Sequence, residues 1–205
     1  MLNRPPACEE CPLNTLSQGF MKPSLGGSYR VTLLGEALGA DEVEAGLPFV
    51  GKAGHKLTRL IEWAGFDRAG FDIFNSAWCR PPENKLNGEW YEKQSVAHCK
   101  ASHWAHLLGR SRVVVPMGNV ALSALTGKKG ILDLRGYVQA GQDGSHYLPT
   151  IHPSFIQRGQ SKYSAVFIHD LQKAVELAQK GYPSQGTDYL IDPIPQEAYE
   201  WALRY

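Results

Sequence analysis

Two hydrophobic rhythms alternate along the chain. Short apolar runs bounded by glycine or proline occupy residues 29–34 (YRVTLL), 71–78, 112–117 (RVVVPM) and 147–151, and each reads as a β-strand. Between them lie stretches of helical period. Residues 53–64 place Leu57, Leu60 and Ile61 on one face and stop at Gly65. Residues 89–108 stop at Gly109, and 120–125 form a short helix. Residues 164–180 carry apolar positions at Val166, Leu171, Val175 and Leu177. Residues 12–28, rich in Gly, Ser and Pro, read as a loop, and Pro81-Pro82-Glu83-Asn84 as a turn. Residues 35–54 hold five glycines and four acids and read as one long loop, a length that usually serves function. Strands alternating with helices predict an α/β fold with a parallel sheet between helical layers. Ligands in such sheets bind beyond the carboxyl ends of the strands.

Composition narrows the class. The 205 residues are 43% hydrophobic, enough for one cored domain that needs no disulfides to fold. A net charge of +1 excludes a strongly basic DNA-coating protein and an acidic disordered one. A local basic face remains open. Residues 79–112 hold six Lys or Arg against three Glu, with His98, His103 and His106, which read as ordinary helix residues. No apolar run is long enough to cross a bilayer, and the N-terminus lacks a signal-peptide core. The expectation is a soluble, cytoplasmic monomer that makes no membrane contact.

Four cysteines are the first specific chemical signal. Cys8 and Cys11 form a C-x2-C pair before Pro12, whereas Cys79 and Cys99 stand far apart. In a reducing compartment four thiols point to a metal centre before disulfides. Zinc sites of four cysteines usually use two close pairs. One close pair and two scattered ligands favour an iron–sulfur cluster, with zinc as the alternative.

Three further segments sit where the strands end: Gly35-Glu36-Ala37-Leu38-Gly39, residues 75–84, and His152-Pro153-Ser154. Each has a plain structural reading too. The glycines could make a turn, Asn75 could be a satisfied buried amide, and His152 could cap a helix. Taken together, GEALGADEVEAGLPFVGKAG, NSAWCRPPEN and HPSFIQR, with C-x2-C-P at the start, resemble the uracil-DNA glycosylase superfamily, and its iron–sulfur family 4 in particular. The resemblance runs from Cys8 to Lys180. It implies a three-layer α/β/α sandwich on a four-stranded parallel sheet, with a structural [4Fe–4S] cluster on Cys8, Cys11, Cys79 and Cys99. It also implies hydrolysis of the N-glycosidic bond of uracil in DNA, leaving an abasic site.

The resemblance implies roles residue by residue. Gly35, Glu42, Phe49 and Asn75 would bind the base: Asn75 reads the uracil edge, Phe49 stacks on the ring, and Glu42 lies near uracil C5. Asp41 and Glu44 are close enough to compete for that last task, and Phe49 could equally be a core residue. His152 would stabilise charge on uracil O2, while Glu36 and Asn84 hold or polarise the water. Lys52, Ser154 and Arg158 are candidate phosphate contacts, and Phe155 and Ile156 candidate wedges in the DNA stack.

This chain departs from the family pattern in two places. Leu38 stands where the family usually has Pro, which is expected to soften the catalytic loop and slow the reaction. The 79–99 interval is longer than usual through Lys85-Leu-Asn-Gly-Glu-Trp-Tyr. The basic His-bearing insertion of a covalent-bonding branch is absent. Residues 1–183 are assigned to the glycosylase-like domain and 184–205 to a C-terminal extension, expected to lead into a longer DNA-processing polypeptide. The competing reading is a catalytically weakened uracil- or DNA-binding module of such a protein.

Overall fold

A computed structural model of the protein describes residues 3–141 and 144–181. The elements in chain order are α1 (Leu13–Leu16), β1 (Ser24–Leu25), β2 (Val31–Gly35), α2 (Ala40–Ala45), α3 (Lys52–Trp63), β3 (Asp72–Asn75), α4 (Glu92–Cys99), β4 (Val113–Pro116), α5 (Asn119–Thr126), α6 (Ile131–Leu134), β5 (Gln139–Ala140), β6 (His146–Tyr147), α7 (Pro153–Gln157) and α8 (Ser164–Lys180). The expected C-terminal extension, 184–205, lies outside the described residues. Among the described residues no helix is long and apolar enough to cross a membrane.

The sheet runs β1-β3-β2-β4-β6-β5. Its four inner strands are parallel, as expected, and a two-residue antiparallel strand is added at each edge. These edge strands escape a reading by periodicity because two residues carry none. Strands β2, β3 and β4 are buried along their whole length, as in a sheet covered on both faces; β2 and β4 are largely Val and Leu, whereas β3 also buries Asp72 and Asn75. Alternate side chains divide the core. Leu33, Ile73, Val113 and Val115 meet Leu57, Leu60 and Ile61 of α3 and Phe167, Leu171 and Val175 of α8. Leu34, Phe74 and Val114 meet Ala121 of α5 and Trp104, Leu107 and Leu108 beyond α4. Three layers result, and each fully buried Leu or Phe contributes about 1.5–3 kcal/mol.

Two predicted elements differ in detail. The expected helix over 89–108 stops at Cys99, continues as a π-helical turn (Lys100–Trp104), and ends in a 3-10 turn to Arg110. The wider turn lets His103 and Trp104 both be buried. The expected long loop over 35–54 contains α2, whose lone core side chain, Val43, leaves no apolar repeat to read.

Candidate active site

The parallel register of β2 and β3 sets Gly35 directly beside Asn75. Just past them, Ser76 donates from both its backbone N–H (2.9 Å) and its hydroxyl (2.8 Å) to the Gly35 carbonyl, and the Ala77 N–H donates to the Glu36 carbonyl (2.9 Å). The two strand ends are thereby locked together. Asn75 is 1% exposed; its Nδ2 donates weakly to Met21 Sδ at 3.8 Å, and among the described residues its Oδ1 finds no partner. A buried carbonyl oxygen without a donor is rare and costly, on the order of 1–3 kcal/mol. A Cβ on Gly35 would lie 2.2 Å from that Oδ1 and 2.4 Å from Phe49 Cζ. Only glycine fits beneath the carboxamide and the phenyl ring, which meet above it.

Phe49 is held there in a left-handed backbone conformation, φ 55°, a state that costs about 1–3 kcal/mol for a residue with a side chain. Its neighbours enforce it. Arg68 donates to the Pro48 carbonyl (3.0 Å), and a Cβ on Gly54 would collide with the Phe49 carbonyl at 1.9 Å. Glu42, 8% exposed, accepts from the backbone N–H groups of Gly39 (3.0 Å), Val50 (3.0 Å) and Gly51 (2.8 Å). Its carboxylate lines the cleft while fastening both ends of the Phe49 loop. Asp41, also on the cleft wall, is exposed and lies against Gly51.

His152 is the N-cap of α7, so the helix-capping reading holds along with its place in the site. Its Nδ1 accepts from the Ser154 N–H (3.2 Å) and lies 2.8 Å from Ser154 Oγ. With Nδ1 accepting, the neutral ring carries its proton on Nε2. Burial, aided by the Arg158 charge, pushes the imidazole pKa down to about 4. The ring packs against Phe49 with centroids 5.7 Å apart. Glu36 is half-buried, and burial is the main cause that raises its pKa. The Asn87 N–H bonded to it and Arg158 oppose that shift, while Glu92 adds to it.

Glu36, Glu42, Phe49, Asn75 and His152 line one cleft of about 730 Å³, together with Leu38, Lys52, Asn84, Ser154 and Arg158. Asn84 sits at the exposed rim. It and Glu83 both have positive φ (58° and 52°), and its Oδ1 accepts from Arg80. Leu38 is 2% exposed and packs with Met21, Val43 and Phe74, so burial restrains the loop where a proline ring is missing. Of the two wedge candidates, Ile156 is 2% exposed in the core, and Phe155 is half-buried against Tyr163. Sequence reasoning missed Met21 and Asn87, since neither carries a motif and both arrive from other loops.

The four cysteines line a second, small cavity of about 20 Å³ with Arg4, Asn14, Phe20, Trp78, His98 and His103. The N-terminal segment reaches it by pairing Gln18 with Arg80 and Met21 with Trp78. Among the described residues no three ligating side chains converge as one metal ion requires. Burial raises the Cys8, Cys79 and Cys99 thiol pKa values, that of Cys79 to about 11, and the neighbouring thiols add to each shift. His103, read from sequence as an ordinary helix residue, lies 3.2 Å from Cys8 Sγ and stacks on Trp78 at 5.3 Å. His98 reaches the Ala7 carbonyl (2.6 Å).

Comparison with known proteins shows the family. The chain is 31% identical to a Type-4 uracil-DNA glycosylase of Thermotoga maritima over 177 residues, 84% of this chain and 90% of that protein. A Type-4 uracil-DNA glycosylase of Pyrobaculum aerophilum is 31% identical over 63% of this chain and 61% of its own length. A DNA polymerase of Bacillus phage SP01 is 29% identical over 83% of this chain, which spans only 18% of that protein. The profile of the Uracil DNA glycosylase superfamily matches residues 23–175, and the chain therefore belongs to that superfamily, in its type-4 branch.

Proposed function

We propose that this chain is a DNA repair glycosylase that hydrolyses the N-glycosidic bond of uracil in DNA and leaves an abasic site. The observation that carries the reading is the unpartnered Asn75 Oδ1 beside the Phe49 ring, above a glycine that leaves no room for a side chain. Uracil offers an N3–H to that oxygen and an O4 to the amide N–H. Cytosine reverses both groups and would leave the buried amide unpaired, about 1–3 kcal/mol per group. An extruded base also gains about 1–3 kcal/mol from stacking on Phe49.

Bond cleavage places negative charge on uracil O2 and positive charge on the sugar. Neutral His152 donates from Nε2–H to O2 and stabilises the oxyanion without giving up its proton. Ionised Glu36 stabilises the sugar cation and, with Asn84, holds the attacking water. Glu42 keeps the Phe49 plate in place and borders uracil C5. Lys52, Ser154 and Arg158 bind the flanking phosphates.

Cys8, Cys11, Cys79 and Cys99 hold a [4Fe–4S] cluster in this reading. Four thiols share one cavity with no carboxylate among its lining, and they come from three separate segments of the chain. That spread suits ligands on separate iron corners better than tetrahedral zinc. When bound, the cluster supplies structural cross-linking of the N-terminal segment, the strand β3 end and α4.

The test is strand nicking of a uracil-containing oligonucleotide, run beside Glu36→Ala, His152→Ala and Asn75→Asp. Asn75→Asp should lower uracil release at least about tenfold and open the slot to cytosine. Unchanged uracil release in that variant would remove Asn75 from its role. A weakened module within a larger DNA-processing protein is the second reading, favoured by the partial likeness to the phage polymerase. Wild-type protein that binds uracil-DNA without nicking would select it.

A further inference from the structure

Extruding a nucleotide leaves a gap in the base stack that an apolar side chain must fill. Ile156 is buried in the core, and Phe155, which lines a second groove beside the cleft, is only part-exposed and packs against Tyr163. This groove, of about 430 Å³, adjoins the cleft and shares Glu36, Asn87, His152, Ser154 and Arg158 with it. Its far wall is α6 and the residue before it, Gly130 to Asp133. Seven large hydrophobic side chains are exposed among the described residues: Leu16, Leu25, Leu47, Trp63, Trp90, Leu132 and Tyr137. Of these, Leu132, 51% exposed, is the one that lines either the cleft or the adjoining groove.

Leu132 also stands on a stiff mount. Asn119 Oδ1 accepts from the backbone N–H groups of Gly130 (3.1 Å) and Ile131 (3.0 Å). Just after α6, Arg135 pairs with Asp170, which is fully buried and also accepts from Thr150 Oγ1 (2.7 Å). Gly136 N–H then donates to the Pro149 carbonyl (2.9 Å). The short helix is thus fixed at its start to α5, and just past its end to α8 and to the segment that leads into His152. Lys128 and Lys129 are exposed on the approach to the same wall. Asp133, exposed and lining the groove, disfavours a phosphate there, so the groove suits bases and its rim suits the backbone.

We infer that Leu132 is the wedge that enters the duplex beside the flipped nucleotide, and that α6 forms the second wall of a groove for the flanking base pair. This rests on the glycosylase reading of the adjoining cleft. A wedge supports extrusion from a stacked duplex and matters little where no stack must be opened.

Two measurements decide it. Uracil release by Leu132→Ala should fall about tenfold on double-stranded DNA and less than twofold on single-stranded DNA, with Leu25→Ala unchanged on both. Equal losses on both substrates, or none on either, would overturn the wedge. Should the wild type release no uracil, the glycosylase reading fails while the wedge is still tested. A duplex with 2-aminopurine beside an abasic-site analogue should brighten on binding wild type and not Leu132→Ala; equal brightening would refute the inference. Because Leu132 is half exposed, an unchanged melting temperature is expected and separates a lost contact from a lost fold.

Discussion

Glu36 and His152 face one cleft, and burial shifts their titrations toward each other. Burial lowers the histidine to about 4 and raises the glutamate above its ordinary range. On acidification Glu36 therefore loses its charge before His152 gains one. The acidic limb of kcat/KM should follow Glu36, lie above the usual glutamate range, and flatten in the residual activity of Glu36→Gln. A limb unmoved in that variant would remove Glu36 from charge stabilisation. Stability carries the opposite residue's signature. An unfolded histidine titrates near 6.5, so the unfolded chain takes up the proton first. Folded-state stability should fall as pH drops from about 6.5 to 4, and His152→Gln should remove that part of the slope. Denaturant midpoints across this window provide the check.

The element that matters most is the loop between α2 and α3. Its strained residue, Phe49, is held by contacts from three directions: Arg68, Glu42 and the close approach at Gly54. Strain maintained this way presents a ring to a ligand without waiting for the loop to fold around it. Phe49→Ala should weaken capture of an extruded uracil by about tenfold or more while leaving affinity for uracil-free duplex nearly unchanged. Fluorescence-anisotropy titration of both DNAs measures the pair, and equal losses would make Phe49 a plain core residue. Removing the side chain also relieves the backbone conformation only in part, since Ala still disfavours φ 55°.

At the scale of the molecule, the cysteine cavity ties the N-terminal segment to the end of β3 and to α4. The segment after β3 also carries Pro81 and Asn84, which line the cleft. The proposed cluster therefore bears on the shape of the DNA-facing edge without touching the base. Cys79→Ser should bleach the yellow-brown colour and lower the melting temperature by several degrees, with solubility lost before the chemistry of any folded fraction. A colourless, equally stable and fully active variant would refute the structural cluster.

Hydrophobic rhythm determined the α/β class and the four parallel strands, because a strand buried on both faces is mostly apolar, even where β3 buries Asp72 and Asn75 at its ends. The three ordered motifs and four cysteines determined the family, because each chemical task admits few residue types. Tertiary structure decided the rest. Short elements such as α2, α6 and both edge strands have too few residues to show a period. The second task of Glu42, the approach of His103 to Cys8, and the mounting of Leu132 depend on loops distant in sequence meeting in space. Leu38 shows the limit most clearly: read alone it is a missing proline, and only the packed core reveals that burial takes over the restraint.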